Sequence, residues 1–303
     1  MATLNTPAPA PSVRMTFARR IVMFLCISTI CMLITGVIMA VVTRAGLNVK
    51  SLRIAAIVQD LIVFVTPAIL CAVIFSAVPA RYLGIERAPR PLTLILAIVA
   101  MICSVPLMNC IIAWNEGLHL PAAFASVEEW MKLSEESART TINMLTGGGS
   151  VGSLVMSLLI VGVLAGFSEE LFFRGGVQRL LVTRPMNPHA AIWIAAFVFS
   201  AVHLQFYGFF PRVLLGAFFG YMLYWSGSLW IPVLCHIYNN SVICIATWRA
   251  VREGHPEVKS IVDTLGADPV AHWPWIAAST VATIVTLYLL WRLRVPEERK
   301  RDA

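Results

Sequence analysis

Apolar residues in this chain come in long, nearly uninterrupted runs, not in the one-sided stripes of helices that pack on a soluble core. A helix crossing the hydrocarbon core of a bilayer needs about 20 mostly apolar residues. Against that length the chain offers eight candidates: Ile21 to Val42, Ile54 to Val78, Leu92 to Trp114, Val151 to Phe173, Ala190 to Leu204, Val213 to Trp225, Ile231 to Trp248 and Trp275 to Trp291. The fifth and sixth are short, and polar groups crowd their neighbours, so their shortness reads as a site feature. Trp114, Trp225, Trp230, Trp248, Trp273, Trp275 and Trp291 stand at span ends, as an aromatic belt does. The expected fold is all-α: a polytopic integral membrane protein of about eight transmembrane helices, with a site formed between the fourth, fifth and seventh.

Four stretches follow from this pattern. Residues 1–16, rich in Pro, Ala and Thr, read as a disordered tail, and the run after Arg19 and Arg20 lacks a small-residue cleavage site, so it reads as an uncleaved anchor. Residues 17–149 hold three helices and an interfacial segment, 150–250 the core with the polar residues, and 251–303 a loop, the last helix and a basic tail. In the interfacial segment Ser126 precedes Glu129 by three, a capping-box pattern that predicts a short surface helix with Phe124, Val127, Trp130 and Met131 on a ragged apolar side. No repeat of fixed period is visible.

Composition turns the pattern into a requirement. Of 303 residues 58% are hydrophobic and 13% charged, and the mean hydropathy is +0.79. Soluble domains average about 25% charged, and surface-to-volume scaling leaves no core large enough for the surplus. The net charge of +7 does not indicate nucleic acid, because the 23 basic residues are scattered between apolar runs. With both termini in the cytoplasm, 14 of the 23 fall on the inner side, a modest positive-inside bias against which Arg44, Lys50 and Arg53 stand in one outer loop. Cys26, Cys31, Cys71, Cys103, Cys110, Cys235 and Cys244 lie in or beside apolar stretches without CxxC spacing, which argues against a disulfide or zinc-knuckle framework.

Ionisable residues inside spans are costly and mark function by default. Here they are Asp60, the cluster Glu169, Glu170 and Arg174, then His203, and His236 with Asn239 and Asn240. Glu170 and Arg174 are four apart with the acid N-terminal, the favourable ion-pair geometry, and Glu169 is left about 100° away. One such pair is an ordinary helix-end salt bridge, but two adjacent carboxylates share a single arginine. Each histidine alone reads as an interhelical hydrogen bonder, and Asp60 reads first as a helix-pairing acid. Depth joins them: with a turn near Met186, Glu169 lies 17 residues before it and His203 17 after, so both return to one level. His236 and Asn240 share a helix face, and the GxxxG pairs Gly162/Gly166 and Gly216/Gly220 allow close helix approach beside them.

EExxxR at Glu169, Glu170 and Arg174, FxxxH at Phe199 and His203, and HxxxN at His236 and Asn240, in that order on successive apolar helices, resemble the CPBP family of intramembrane proteases, which includes the Rce1-type CAAX prenyl endopeptidases and the bacterial Abi proteins. The likeness covers roughly residues 150–245, and all three patterns are met. It implies peptide-bond hydrolysis by a glutamate-activated water: Glu169 as general base, His203 holding and polarising the water, His236 and Asn240 donating to the oxyanion, Glu170 and Arg174 orienting the helix. A carboxylate in a low-dielectric site is a stronger base, and fixed donors are worth more where water is scarce.

No cofactor is expected. The nearest alternative is a zinc metalloprotease with Glu169, His203 and His236 as ligands and a fourth position open, although no HExxH spacing is present. Two other classes stay open: a proton-coupled transporter that adds Gln59 and Asp60, for which no paired broken helices speak, and a non-catalytic immunity or scaffold protein. The expected partners are the lipid bilayer and a membrane-associated peptide or protein substrate. The expected location is a bacterial inner (cell) membrane, with both termini cytoplasmic.

Overall fold

The computed structural model describes residues 15–295 apart from 45, 47, 147, 183–185 and 255–264. The expected N-terminal tail up to residue 14, Arg184 and the basic residues Arg299, Lys300 and Arg301 lie outside the described residues. Among those described there is no strand. The helices are α1 (Phe17–Arg44), α2 (Val49–Phe75), a short α3 (Pro79–Leu83), α4 (Pro91–Cys103), α5 (Val105–Glu116), α6 (Ala125–Thr146), α7 (Val151–Val182), α8 (Pro188–Ala201), α9 (Phe209–Ser226), α10 (Trp230–Arg252) and α11 (Trp273–Arg292).

Every expected span holds a helix, though the helix stops at Phe75 in the second and at Ala201 in the fifth and is broken at Ser104 in the third, and not every one qualifies as a crossing by length and composition. Five described helices are long and apolar enough, and six if the bent pair α4 and α5 is one span, so this measure falls short of eight. The bend of 49° falls where Pro106 enters the first turn of α5. Proline cannot donate to the ladder, and Ser279 of α11 repairs the break: its hydroxyl donates to the Cys103 carbonyl at 2.6 Å and accepts from Leu107 N at 3.2 Å. α10 has the length of a span, but His236, Tyr238, Asn239 and Asn240 dilute its apolar character. α8, with 14 residues, rises only about 21 Å at about 1.5 Å per residue and ends short of a hydrocarbon core about 30 Å thick.

α7 is the axis of the molecule, contacted by α2, α8, α9 and α10, while α9 packs along α8 and α11 lies against α4 and α5. One core joins α1, α2 and α7 through Phe24, Ala68, Ala72, Phe75 and Leu171, and a second joins α4, α9, α10 and α11 through Ala97, Phe219, Ile231 and Leu290. The apolar side chains left outside, such as Leu25, Leu33 and Val37 on α1 and Val281 and Ile284 on α11, are widely exposed and form the lipid-facing surface that the composition demanded.

The glycine pairs mark close crossings. A Cβ on Gly166 would stand 3.0 Å from the backbone nitrogen of Ile237 in α10, and one on Gly216 would stand 3.2 Å from Cα of Ala196 in α8. Three stretches run as π-helix, Asp60–Val65 in α2 and Leu158–Leu164 and Leu171–Gln178 in α7, a widening of the turn that recurs at functional sites. The surface helix α6 is longer than expected and starts differently. A 3₁₀ turn over Ala122–Phe124 runs into it, so Ser126 lies inside the helix and not at its N-cap. Closure of that end falls to Glu128, whose carboxylate accepts from Leu120 N at 3.0 Å.

Candidate functional site

The two glutamates sit on a short α-helical turn of α7, Ala165–Glu170, held between its π-helical stretches. Glu170 and Arg174 are sealed, at 0% and 1% exposure, and pair at 2.9 Å between Oε1 and Nη1. The other end of the guanidinium donates from Nη2 to the Gly216 carbonyl of α9 at 2.9 Å. Its plane lies over the Phe199 ring at 4.7 Å and near Phe219 at 5.5 Å, so two aromatic faces and one carbonyl disperse a charge that water cannot reach.

Glu170 has a second partner that the helical spacing did not foretell: His236 Nδ1 donates to the same Oε1 at 2.8 Å. The imidazole, 4% exposed, stacks on Phe219 with centroids 5.0 Å apart. Its Nδ1 is thereby committed, and Nε2 turns towards Glu169 Oε2 at 3.9 Å. His203 repeats the arrangement from the other side. Its Nδ1 donates to the Phe199 carbonyl at 2.7 Å, and its Nε2 faces the same Glu169 oxygen at 4.0 Å. Glu169 thus confronts two imidazole nitrogens whose opposite ring positions are already fixed, and at 14% side-chain exposure it is the open member of the glutamate pair.

His203 follows the truncated end of α8. The backbone turns sharply after it, with Leu204 at φ 53°, a left-handed conformation that is rare for a branched aliphatic residue and marks an over-determined segment. Asn115 of α5, fully buried, holds that segment: its Nδ2 donates to the Phe206 carbonyl at 3.0 Å, and its Oδ1 accepts from Phe210 N at 3.0 Å. Ser200 adds a bond from its hydroxyl to the Phe209 carbonyl at 2.8 Å. Irregular backbone at membrane depth survives only where protein satisfies it, and these side chains do so.

Asn240 lies one turn beyond His236 and donates from Nδ2 to the Val161 carbonyl at 3.0 Å, within the first π stretch of α7. Asn239 in turn donates to Asn240 Oδ1 at 3.3 Å. One N–H of the Asn240 amide therefore remains for other work. Asp60, 5% exposed, begins the π stretch of α2 beside Ser168, within reach of the Glu169 charge. The spacing foresaw the grouping of Glu169, Glu170, Arg174, His203 and His236. It could not foresee the Phe219 wall, the Gly216 acceptor or Asn115, which come from helices with no polar motif of their own.

Two imidazole Nε2 atoms and a carboxylate are the donor types of a catalytic zinc site, and both rings have the outer-sphere acceptor that such ligands usually have. Their spacing does not match: among the described residues no group of three or more His, Cys, Asp or Glu is placed to hold an ion.

No curated protein and no solved structure matches this chain. Residues 151–242 match the family model described as type II CAAX prenyl endopeptidase Rce1-like. That span includes Glu169, Glu170, Arg174, His203, His236 and Asn240, so the segment that builds this buried cluster is the part of the chain that is similar to that family.

Proposed function

We propose that the protein is an intramembrane endopeptidase that hydrolyses a peptide bond of a membrane-associated substrate with a water activated by Glu169. The observation that carries this reading is the convergence of Glu169 Oε2 with the Nε2 atoms of His203 and His236, at 4.0 and 3.9 Å. Gaps of that length between polar atoms are the spacing that one bridging water fills.

The chemistry follows from the ring nitrogens already committed. With Nδ1 protonated against Phe199, neutral His203 presents a lone pair at Nε2, so a water between them gives one hydrogen to Glu169 and the other to His203. Glu169 takes the proton as the water oxygen attacks the carbonyl carbon, then returns it to the leaving nitrogen as the C–N bond breaks. His236, when protonated at Nε2, and the spare N–H of Asn240 donate to the oxyanion. Glu170 and Arg174 hold His236 and the α7–α9 crossing in place and do not touch substrate.

Replacing Glu169 by Gln preserves size and hydrogen-bonding capacity but removes the base. Purified Glu169→Gln is expected to keep the wild-type melting midpoint and to lose turnover by about 100-fold to 10,000-fold. In cells, comparative membrane proteomics of wild type against Glu169→Ala is expected to reveal an accumulating uncleaved protein. An unchanged phenotype in that variant would point to a scaffold. Chelation is expected to leave turnover intact, and stoichiometric zinc whose removal abolishes activity would overturn the metal-free mechanism.

A further inference from the structure

The donors assigned to the oxyanion come down to one ring nitrogen and one amide hydrogen, since His236 Nδ1 is on Glu170 and Asn240 Nδ2 already gives one of its hydrogens to Val161. A cation stands beside them. Arg212 lies in the first turn of α9, on the face that continues through Gly216 and Phe219, four and seven residues on. That face is the wall of the site: Gly216 receives the Arg174 guanidinium and Phe219 stacks on His236. Arg212 folds back towards His203. Its Nη2 donates to Gln205 Oε1 at 2.8 Å and its Nη1 to the Gln205 carbonyl at 3.4 Å, two residues past His203. The guanidinium is close enough for its charge to act on both His203 and Glu169. Of its five N–H groups, Gln205 engages two.

We propose that Arg212 is a further catalytic residue of this site: its guanidinium, turned in beside His203, donates to the oxygen of the scissile carbonyl as that oxygen takes on negative charge. The inference rests on the endopeptidase reading above. No bond is made or broken at Arg212. It offers a fixed positive charge at the Gln205 corner, two residues past His203, and a preorganised donor of that kind stabilises charge as it develops. Glu135 of α6 also lies within reach of its charge, and Gln205 Nε2 donates to Glu135 Oε1 at 3.2 Å, which ties the surface helix to the same corner.

The test uses the full-length protein in liposomes with a library of internally quenched peptides, each with an apolar segment of about 20 residues. Wild type, Glu169→Gln, Arg212→Ala, Arg212→Lys and Gly208→Ala are compared, each with its melting midpoint. Removing one oxyanion donor costs about 100-fold to 1,000-fold in kcat. Arg212→Ala is expected to lose that much with KM changed less than about threefold, Arg212→Lys to retain a larger share, and added guanidinium to restore part of the Ala variant. Gly208→Ala serves if Arg212→Ala does not fold. Its new Cβ would stand 3.2 Å from Arg212 Nη2, so it displaces the guanidinium without removing it, and about a tenfold loss in kcat is expected. Turnover in Arg212→Ala, or in Gly208→Ala where that is the variant that folds, within about threefold of wild type while Glu169→Gln is inactive would overturn the role of Arg212 and leave the endopeptidase standing. Wild type no faster than Glu169→Gln across the library would overturn both.

Discussion

Arg174 is the largest of the fully buried side chains, and its charge is tolerable because everything within reach answers it: Glu170 Oε1, the Gly216 carbonyl and two aromatic faces. Glu170 needs the same company, since His236 and Arg174 meet on one of its oxygens. Breaking a buried pair from one side strands the other charge, at a cost of about 3–5 kcal/mol. Arg174→Met is therefore expected to lower the melting midpoint in detergent sharply. The double variant Arg174→Met with Glu170→Gln is expected to recover part of that loss, and a double variant as unstable as the sum of the two singles would contradict the coupling. The EExxxR spacing made this ion pair legible in the chain. Its third member, His236, lies 66 positions away from Glu170, beyond any local pattern.

Among elements, α6 and α7 depart most from what their sequences announce. The Ser126 to Glu129 spacing predicts an N-cap, yet the 3₁₀ turn begins the helix earlier and leaves Glu128 to close it. Glu128 holds Lys132 at 2.9 Å, His119 at 3.1 Å and Leu120 N at 3.0 Å. Those bonds, Lys132 first, hold its carboxyl down at about 2, well under the usual carboxylate range. A carboxyl depressed in the folded state stabilises it fully above the unfolded value, and that contribution fades as pH falls towards about 2. Between pH 5 and pH 2 the melting midpoint of the wild type is accordingly expected to fall further than that of Glu128→Gln. Parallel curves would mean that the clamp contributes nothing. In α7 the π stretches leave no trace in hydropathy, because one widened turn changes the register without changing the residues. They nonetheless present the Val161 carbonyl to Asn240.

At the scale of the molecule, the site is completed by parts outside residues 151–242. Asn115 of α5 secures the segment that follows His203, and Glu135 of α6 reaches Gln205 in the same segment. Asn115→Leu fills the space but strands the Phe206 carbonyl and the Phe210 N–H, at about 1–3 kcal/mol for each buried group left unpaired. A lower melting midpoint and a lower kcat are expected together, measured by thermal unfolding and peptide turnover. A fully active, fully stable variant would show that His203 is held without α5.

The sequence by itself determined that this chain belongs in a bilayer, that it is helical, and that a few charged and imidazole groups lie at one depth within it. Scarcity of charge does this, because each ionisable group retained against the cost of burial stands out, and helical rise is regular enough to compare depths. Only the tertiary structure decided which nitrogen of each histidine is free, that Glu170 serves His236 as well as Arg174, and that Arg212 and Asn115 border the site. Those depend on how helices rotate against one another, which close backbone approach at Gly166 and Gly216, the widened turns of α7 and the truncation of α8 settle jointly.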